Sequence, residues 1–234
     1  MSEEIDPNVD GRLEPPTITT VLFDIGGVLF QPSDGPLFKK MARVINRSPD
    51  DIYKAIYQHP HVADVFAGKV PEEEFLRYFY HTLNLPFPED IEEARTVFDH
   101  PEVFLPQEGM QGLVQKLIDN GIEVAVLTDT ISPLAALVRS RLLELYPQIR
   151  SDRIFISSEI GVAKREKNAP AFRLVLEKLG VVAENIVFVD DVLDYTAAAQ
   201  SIYGMHSFTF EEYSSHGVSA AASMKEELKK LDCC

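Results

Sequence analysis

Val21-Leu22-Phe23-Asp24-Ile25-Gly26-Gly27-Val28-Leu29-Phe30 is the stretch around which the rest of the chain is organised. An apolar run breaks off in an acid, and two glycines follow at once. Residues 18–23 are β-branched and aromatic and carry no helical period, so a short buried strand is expected there. A carboxylate at the carboxyl end of a buried strand is costly unless a metal, a cation or a reaction uses it. Gly26 and Gly27 let the backbone turn sharply and approach a ligand closely. Alone, the stretch fits an Asx turn equally well; the remainder of the chain separates the two readings.

From residue 37 to about 101 the pattern is helical. Ser48-Pro49-Asp50-Asp51 is a helix start, with Ser as N-cap, Pro at the first helical position and acids at the positive end of the dipole. Pro71-Glu72-Glu73-Glu74 opens another helix, and its aromatics Phe75, Tyr78, Phe79 and Tyr80 are expected to pack in a core. A third helix is expected over 89–98. Past Pro106 the pattern changes. Met110, Leu113, Val114, Leu117 and Ile118 mark one buried helix face, stopped by Asn120-Gly121. Strands are expected at 122–127, 154–156, 186–189 and 206–210, with helices at 132–145, around Phe172 to Leu179, at 194–202 and at 219–231. Alternating strands and helices predict an α/β fold, a doubly wound (Rossmann-like) parallel sheet. The roughly 100 residues between the first two strands far exceed a crossover, which needs a dozen or so. The surplus predicts an inserted all-helical cap domain at 33–103, a core domain made of 18–32 and 104–234, and a disordered acidic tail at 1–17. An insertion leaving from the carboxyl edge of the sheet would lie over a site there as a lid.

Composition narrows the partners. The 234 residues carry 22 basic and 37 acidic side chains, a net charge of −15, which argues against nucleic acid and anionic membranes as partners. No apolar run reaches the roughly 20 residues of a membrane span, and the acidic start is not a signal peptide. The two cysteines, Cys233 and Cys234, form no disulfide framework, so a cytoplasmic location is expected. The terminal pair resembles a lipid acceptor but lacks an upstream polybasic signal. The six histidines show no ligand spacing and are assigned no role, and the sequence leaves the oligomeric state open.

Polar chemistry gathers at the strand ends: Asp24 after the first, Thr128-Asp129 after the second, Lys164 in the loop beyond the third, and Asp190-Asp191 after the fourth. Converging carboxylates make a hard oxygen site suited to Mg²⁺ together with a substrate phosphate. A lysine and a hydroxyl beside them would hold the remaining phosphate oxygens.

In the order and spacing of four motifs, the sequence resembles the haloacid dehalogenase-like hydrolase superfamily from about residue 19 to 210. They are Asp24-Ile25-Gly26-Gly27-Val28-Leu29, the strand ending in Thr128, Glu159-Ile160-Gly161-Val162-Ala163-Lys164, and Val187-Phe188-Val189-Asp190-Asp191 with an Ala-rich helix behind it. The insertion is similar to the family's C1-type cap of subfamily I. The resemblance implies phosphoryl transfer through an aspartyl-phosphate, with Asp24 as nucleophile and Lys164 holding it in place. It further implies phosphate contacts from Thr128, Asp129 and Lys164, and Mg²⁺ held by Asp24, the Gly26 carbonyl, Asp190 and Asp191. The substrate would be a small phosphorylated metabolite.

The chain departs from the family pattern in three places. Gly26 stands where the phosphatases carry a second Asp as general acid and base, and such a group contributes about 10²–10⁴-fold. Asp34 is a candidate substitute, alongside the reading of an ordinary turn residue. The lysine loop, Lys164-Arg165-Glu166-Lys167-Asn168-Ala169-Pro170, runs about two residues longer than the family's, leaving Lys167 as an alternative to Lys164. Val192 and Tyr195 replace residues that usually support the last acid, with Asp194 as a possible compensation. Two other functions stay open at this point: a 2-haloacid dehalogenase, whose halide leaves without a proton, and a weakly active or non-catalytic phosphate-binding or regulatory protein. Ala67-Gly68-Lys69 reads as a plain cap turn or as a cation aimed at the site.

Overall fold

The computed structural model describes residues 17–210 and 220–231. The acidic tail, apart from its last residue, and both cysteines lie outside that range. The first strand, β1 (Thr20–Phe23), is followed by five helices. These are α1 (Asp34–Ile45), α2 (Pro49–Tyr57), α3 (Val62–Phe66), α4 (Glu72–Thr82) and α5 (Ile91–Arg95). Two short 3₁₀ turns then lead to α6 (Met110–Asp119), β2 (Glu123–Thr128), α7 (Ser132–Leu145), β3 (Ile154–Ile156) and α8 (Ser157–Ile160). The chain continues through α9 (Pro170–Leu179), β4 (Ile186–Asp190), α10 (Leu193–Tyr203), β5 (His206–Thr209) and α11 (Ala220–Lys230).

All the strand pairs are parallel, in the order β3-β2-β1-β4-β5, so β1 lies at the centre. Alternate residues of the central strands face opposite layers, as a pleated strand requires. Val21 and Phe23 of β1, with Val187 and Val189 of β4, join Leu113 and Leu117 of α6 and Leu228 of α11 in one cluster. Leu22 and Phe188 join Phe172 and Val175 of α9 in the other. The near-continuous burial of β1, β2 and β4 is what a sheet covered on both faces demands.

Local chemistry sets the ends of the elements. Ser48 and Asp51 form the reciprocal capping box of α2, with both backbone-to-side-chain bonds at 3.1 Å. Gly121 and Gly180, both at positive φ, close α6 and α9. The helices between β1 and β2 form the expected insertion. Phe75, Phe79 and Phe98 pack ring against ring in its interior, which joins the first of the two clusters without a break. The chain enters and leaves the insertion side by side. Gln31 N–H donates to the Leu105 carbonyl (2.9 Å), and Gln107 N–H donates to the Leu29 carbonyl (2.8 Å).

Candidate active site

The register of the central strands builds the site. Phe23 pairs with Val126 on one side and Val189 on the other, so the next residues, Asp24 and Asp190, emerge together at the carboxyl edge. The Asp24 N–H donates to the Val189 carbonyl at 2.8 Å and holds that alignment. Lys164 reaches between them from the loop after α8. Its Nζ donates to Asp24 Oδ1 at 2.8 Å and to Asp190 Oδ2 at 2.5 Å, and all three side chains are buried. The other Asp190 oxygen accepts the Val192 N–H at 2.8 Å. Tyr195, one of the departures from the family pattern, places its ring 5.0 Å from the ammonium.

Three carboxylates surround this single ammonium. Burial works against the Lys164 charge, but Asp190, Asp24 and Asp129 outweigh it and hold its pKa above the usual lysine range. At Asp190 burial is the larger influence; Lys164 pulls the other way, Asp24 adds like charge, and the pKa is raised. Asp24, Asp190 and Asp191 each offer an oxygen within 4.8 Å of the others, so the cluster is able to hold a metal ion. Three carboxylates this close are the hard oxygen donors that Mg²⁺ favours. Lys164 offsets part of the negative charge gathered here, and a divalent cation would offset more. Both Asp190 oxygens are engaged, one by the Lys164 ammonium and one by the Val192 N–H.

Gly27 has a larger part here than a turn residue. It lies at φ +74°, and a Cβ there would come within 2.3 Å of Asp191 Oδ2. The half-buried Asp191 carboxylate therefore sits directly on the Gly27 backbone. Gly26 is the opposite case: a Cβ there meets nothing within 4 Å, and the place of the missing side chain is open.

The lysine loop is anchored by residues to which the sequence pattern assigned other roles or none. Asp129 Oδ1 accepts the Lys164 N–H (2.8 Å), and Oδ2 accepts the Arg165 N–H (3.2 Å) and Nε–H (3.0 Å). Both oxygens of the Asp129 carboxylate are thus engaged by the lysine loop. The Arg165 guanidinium lies 3.5 Å above the Phe66 ring of the insertion. Arg165 stood in the quoted loop without a role; its adjacency to the lysine was the only available signal. Glu166 accepts the Ala163 N–H (2.7 Å) and also pairs with Lys69 of the insertion. Lys69 thus binds the loop instead of projecting freely over the site. Beside it, Gly68 approaches the Ser158 carbonyl so closely that a Cβ would lie 2.1 Å away. The extra loop length is absorbed by Asn168 and Ala169, both at positive φ, whose carbonyls accept from Tyr203 Oη at 2.9 and 3.2 Å. Lys167 is exposed, and Lys164 is the lysine brought to Asp24.

A cleft of about 500 Å³ opens over these groups, lined among others by Asp24, Gly26, Thr128, Lys164, Arg165 and Asp191. Asp34 also faces it and accepts a 2.9 Å bond from Tyr57 Oη, while Asp194 is exposed outside it.

A parallel sheet of this order, with a helical insertion after its first strand and a buried Asp–Lys–Asp centre at its carboxyl edge, defines an α/β enzyme fold. Residues 18–202 match the model of the haloacid dehalogenase-like hydrolase family, and the chain belongs to that family. Solved structures agree on the fold. A haloacid dehalogenase family enzyme from Bacteroides thetaiotaomicron, in complex with magnesium and inorganic phosphate, is 20% identical over 82% of this chain and 93% of its own, with a TM-score of 0.57. A predicted member of the family from Porphyromonas gingivalis is 18% identical over 91% of this chain and 98% of its own (TM-score 0.63). An L-2-haloacid dehalogenase from Xanthobacter autotrophicus, with chloropropionic acid covalently bound, is 16% identical over 90% and 88% (TM-score 0.57). A search among curated proteins gives no match. Among the described residues, no helix is long and apolar enough to cross a membrane.

Proposed function

We propose that the protein is a Mg²⁺-dependent phosphatase of the cytoplasm, acting on a small phosphorylated metabolite beneath a C1-type cap formed by residues 33–103, with 18–32 and 104–234 as the core. The observation that carries this reading is the convergence of the Asp24, Asp190 and Asp191 carboxylates, whose oxygens lie within 4.8 Å of one another, beside the buried Lys164 ammonium. A divalent cation bound among these carboxylates would offset their repulsion of an anionic substrate. The magnesium and phosphate bound by the Bacteroides enzyme are consistent with that chemistry.

Asp24 is the nucleophile in this reading. One carboxylate oxygen attacks phosphorus, the bond to the leaving oxygen breaks, and water then hydrolyses the aspartyl-phosphate. Lys164 orients Asp24 and, with Thr128 and the Asp129 N–H, neutralises the phosphoryl oxygens. Asp24, the Gly26 carbonyl and Asp191 would hold Mg²⁺, supported by Asp190. When bound, the ion supplies Lewis-acid stabilisation of phosphoryl charge. Gly26 provides no side-chain acid, so leaving groups that depart as stable anions react best.

Gly26 also suits a 2-haloacid dehalogenase, since halide needs no proton. Phosphate esters, acyl phosphates and 2-chloropropionate assayed with Mg²⁺ and with EDTA discriminate the two. Mg²⁺-dependent phosphate release supports the phosphatase. Chloride release, or a folded protein with no turnover and no phosphoenzyme mimic formed with BeF₃⁻, overturns it.

A further inference from the structure

A second cavity, of about 90 Å³, lies between the insertion and the sheet and shares a wall with the catalytic cleft. Six residues line both spaces: Gly26, Ser33, Asp34, Tyr57, Thr128 and Asp129. All but Gly26 are polar. The residues that line the inner space alone are apolar apart from Thr130, among them Leu37, Phe38 and Phe66 from the insertion and Phe104, Leu134 and Val138 from the core. Polarity thus falls from the nucleophile inwards, as it does in a pocket that takes a ligand with one charged end and one greasy end. Gly26 stands at the junction, and where its side chain would be, nothing lies within 4 Å.

We infer that Gly26 opens the catalytic cleft into this cavity, and that the cavity receives a short apolar chain carried by the leaving group of the substrate. The phosphoryl identity of the other end rests on the phosphatase reading. An apolar cavity of roughly 150 Å³ holds a benzene ring; one of about 90 Å³ suits a short chain of a few carbons. The substrate class is therefore an alkyl-bearing phosphate compound, best with a leaving group that departs as its anion. In the transfer step, Asp24 Oδ forms the new bond to phosphorus while the bond from phosphorus to the leaving oxygen breaks. That oxygen keeps the electron pair and leaves as a carboxylate if the compound is an alkanoyl phosphate, with no proton to find. In this substrate the missing side chain serves as a doorway as well as a lost acid.

The test uses the full chain with Mg²⁺ and a series of non-hydrolysable n-alkylphosphonates from methyl to octyl, with affinity measured by calorimetry. Affinity is expected to rise about fourfold per methylene over three or four members of the series and then stop. A terminal hydroxyl on a fitting chain is expected to cost about tenfold. Val138→Phe, which fills the cavity, and Gly26→Leu, which blocks the doorway, are each expected to flatten the series; the second remains informative if the first does not fold. A flat wild-type series, or one that keeps rising to octyl as on an open surface, overturns the inference. In parallel, acetyl, propionyl and butyryl phosphate are assayed for turnover. Chain-dependent phosphonate binding without hydrolysis of any acyl or aryl phosphate keeps the cavity assignment and removes the phosphatase reading. Turnover indifferent to chain length does the reverse.

Discussion

Replacing Gly27 with alanine places a methyl group 2.3 Å from Asp191 Oδ2 and 2.7 Å from its Cγ, at a backbone φ of +74°. Two costs follow. Holding an alanine in the left-handed region costs about 1–2 kcal/mol. At roughly 2–4 °C per kcal/mol for a chain of this size, the melting temperature should fall by about 2–8 °C. The second cost is local. To regain ordinary van der Waals contact at 3.4 Å, the carboxylate must retreat by about 1 Å, several times the ±0.2 Å tolerance of a metal–ligand distance. Mg²⁺ affinity should therefore drop by about 10–100-fold, as when a ligand loses its orienting neighbour. Gly26→Ala is the control one residue away: its Cβ enters open space, and both melting temperature and Mg²⁺ affinity should stay near wild type. Calorimetric titration with Mg²⁺ and a thermal melt read both variants. Equal losses in the two, or wild-type Mg²⁺ affinity in Gly27→Ala, would refute the placement of Asp191 on the Gly27 backbone as the basis of the metal site.

Lys164→Met strips the buried carboxylates of their cation and should cost about 3–5 kcal/mol in a thermal or urea melt, whereas the exposed Lys167→Met should register in neither stability nor turnover. Gly26→Asp has room for its side chain and should raise hydrolysis of simple alkyl phosphates, whose leaving groups need a proton, by up to about 10²–10⁴-fold; unchanged rates would show that proton supply is not what limits these esters. Mg²⁺ at 100 times its Kd should stabilise the folded chain by about 2.7 kcal/mol, lost on adding EDTA. Lys69→Ala removes a partly exposed ion pair to the lysine loop, so stability should change by less than about 1 kcal/mol while KM rises more than kcat falls.

The sheet was legible because its strands announce themselves in the same way. An apolar run stops in Asp24, Thr128 or Asp190-Asp191, and a residue type that is costly at the end of a buried strand marks the edge where chemistry gathers. The insertion was legible from spacing alone. What escaped the sequence depends on pairings across long separations. The resemblance implies a phosphate contact from Asp129; that its carboxylate accepts from the backbone of residues 35 and 36 positions away is a pairing no local pattern shows. Lys164 and Lys167 differ in sequence only by position in a lengthened loop. Two consecutive left-handed residues, Asn168 and Ala169, swallow the extra length and turn Lys167 outward, and no local propensity foretells that. Gly27 reads from sequence as a turn residue for a related reason: its partner, Asp191, is 164 positions on.

The central place of β1 has a consequence before the protein is ever folded. Thr20 finds its neighbours in Glu123 and Ile186, so on the ribosome the first strand waits for more than 100 residues of later chain. At about 5–20 residues per second that is several seconds or more. Throughout that interval two apolar segments, Val21-Leu22-Phe23 and Val28-Leu29-Phe30, hang free with strong β-propensity and no partner, the kind of sequence that pairs with copies of itself. The charge between them is Asp24. The carboxylate at the centre of the folded site therefore also acts as a gatekeeper in the nascent chain. Asp24→Asn, the natural choice for silencing the chemistry, removes that guard as well, and a lower soluble yield from this variant is expected even where its folded state is intact.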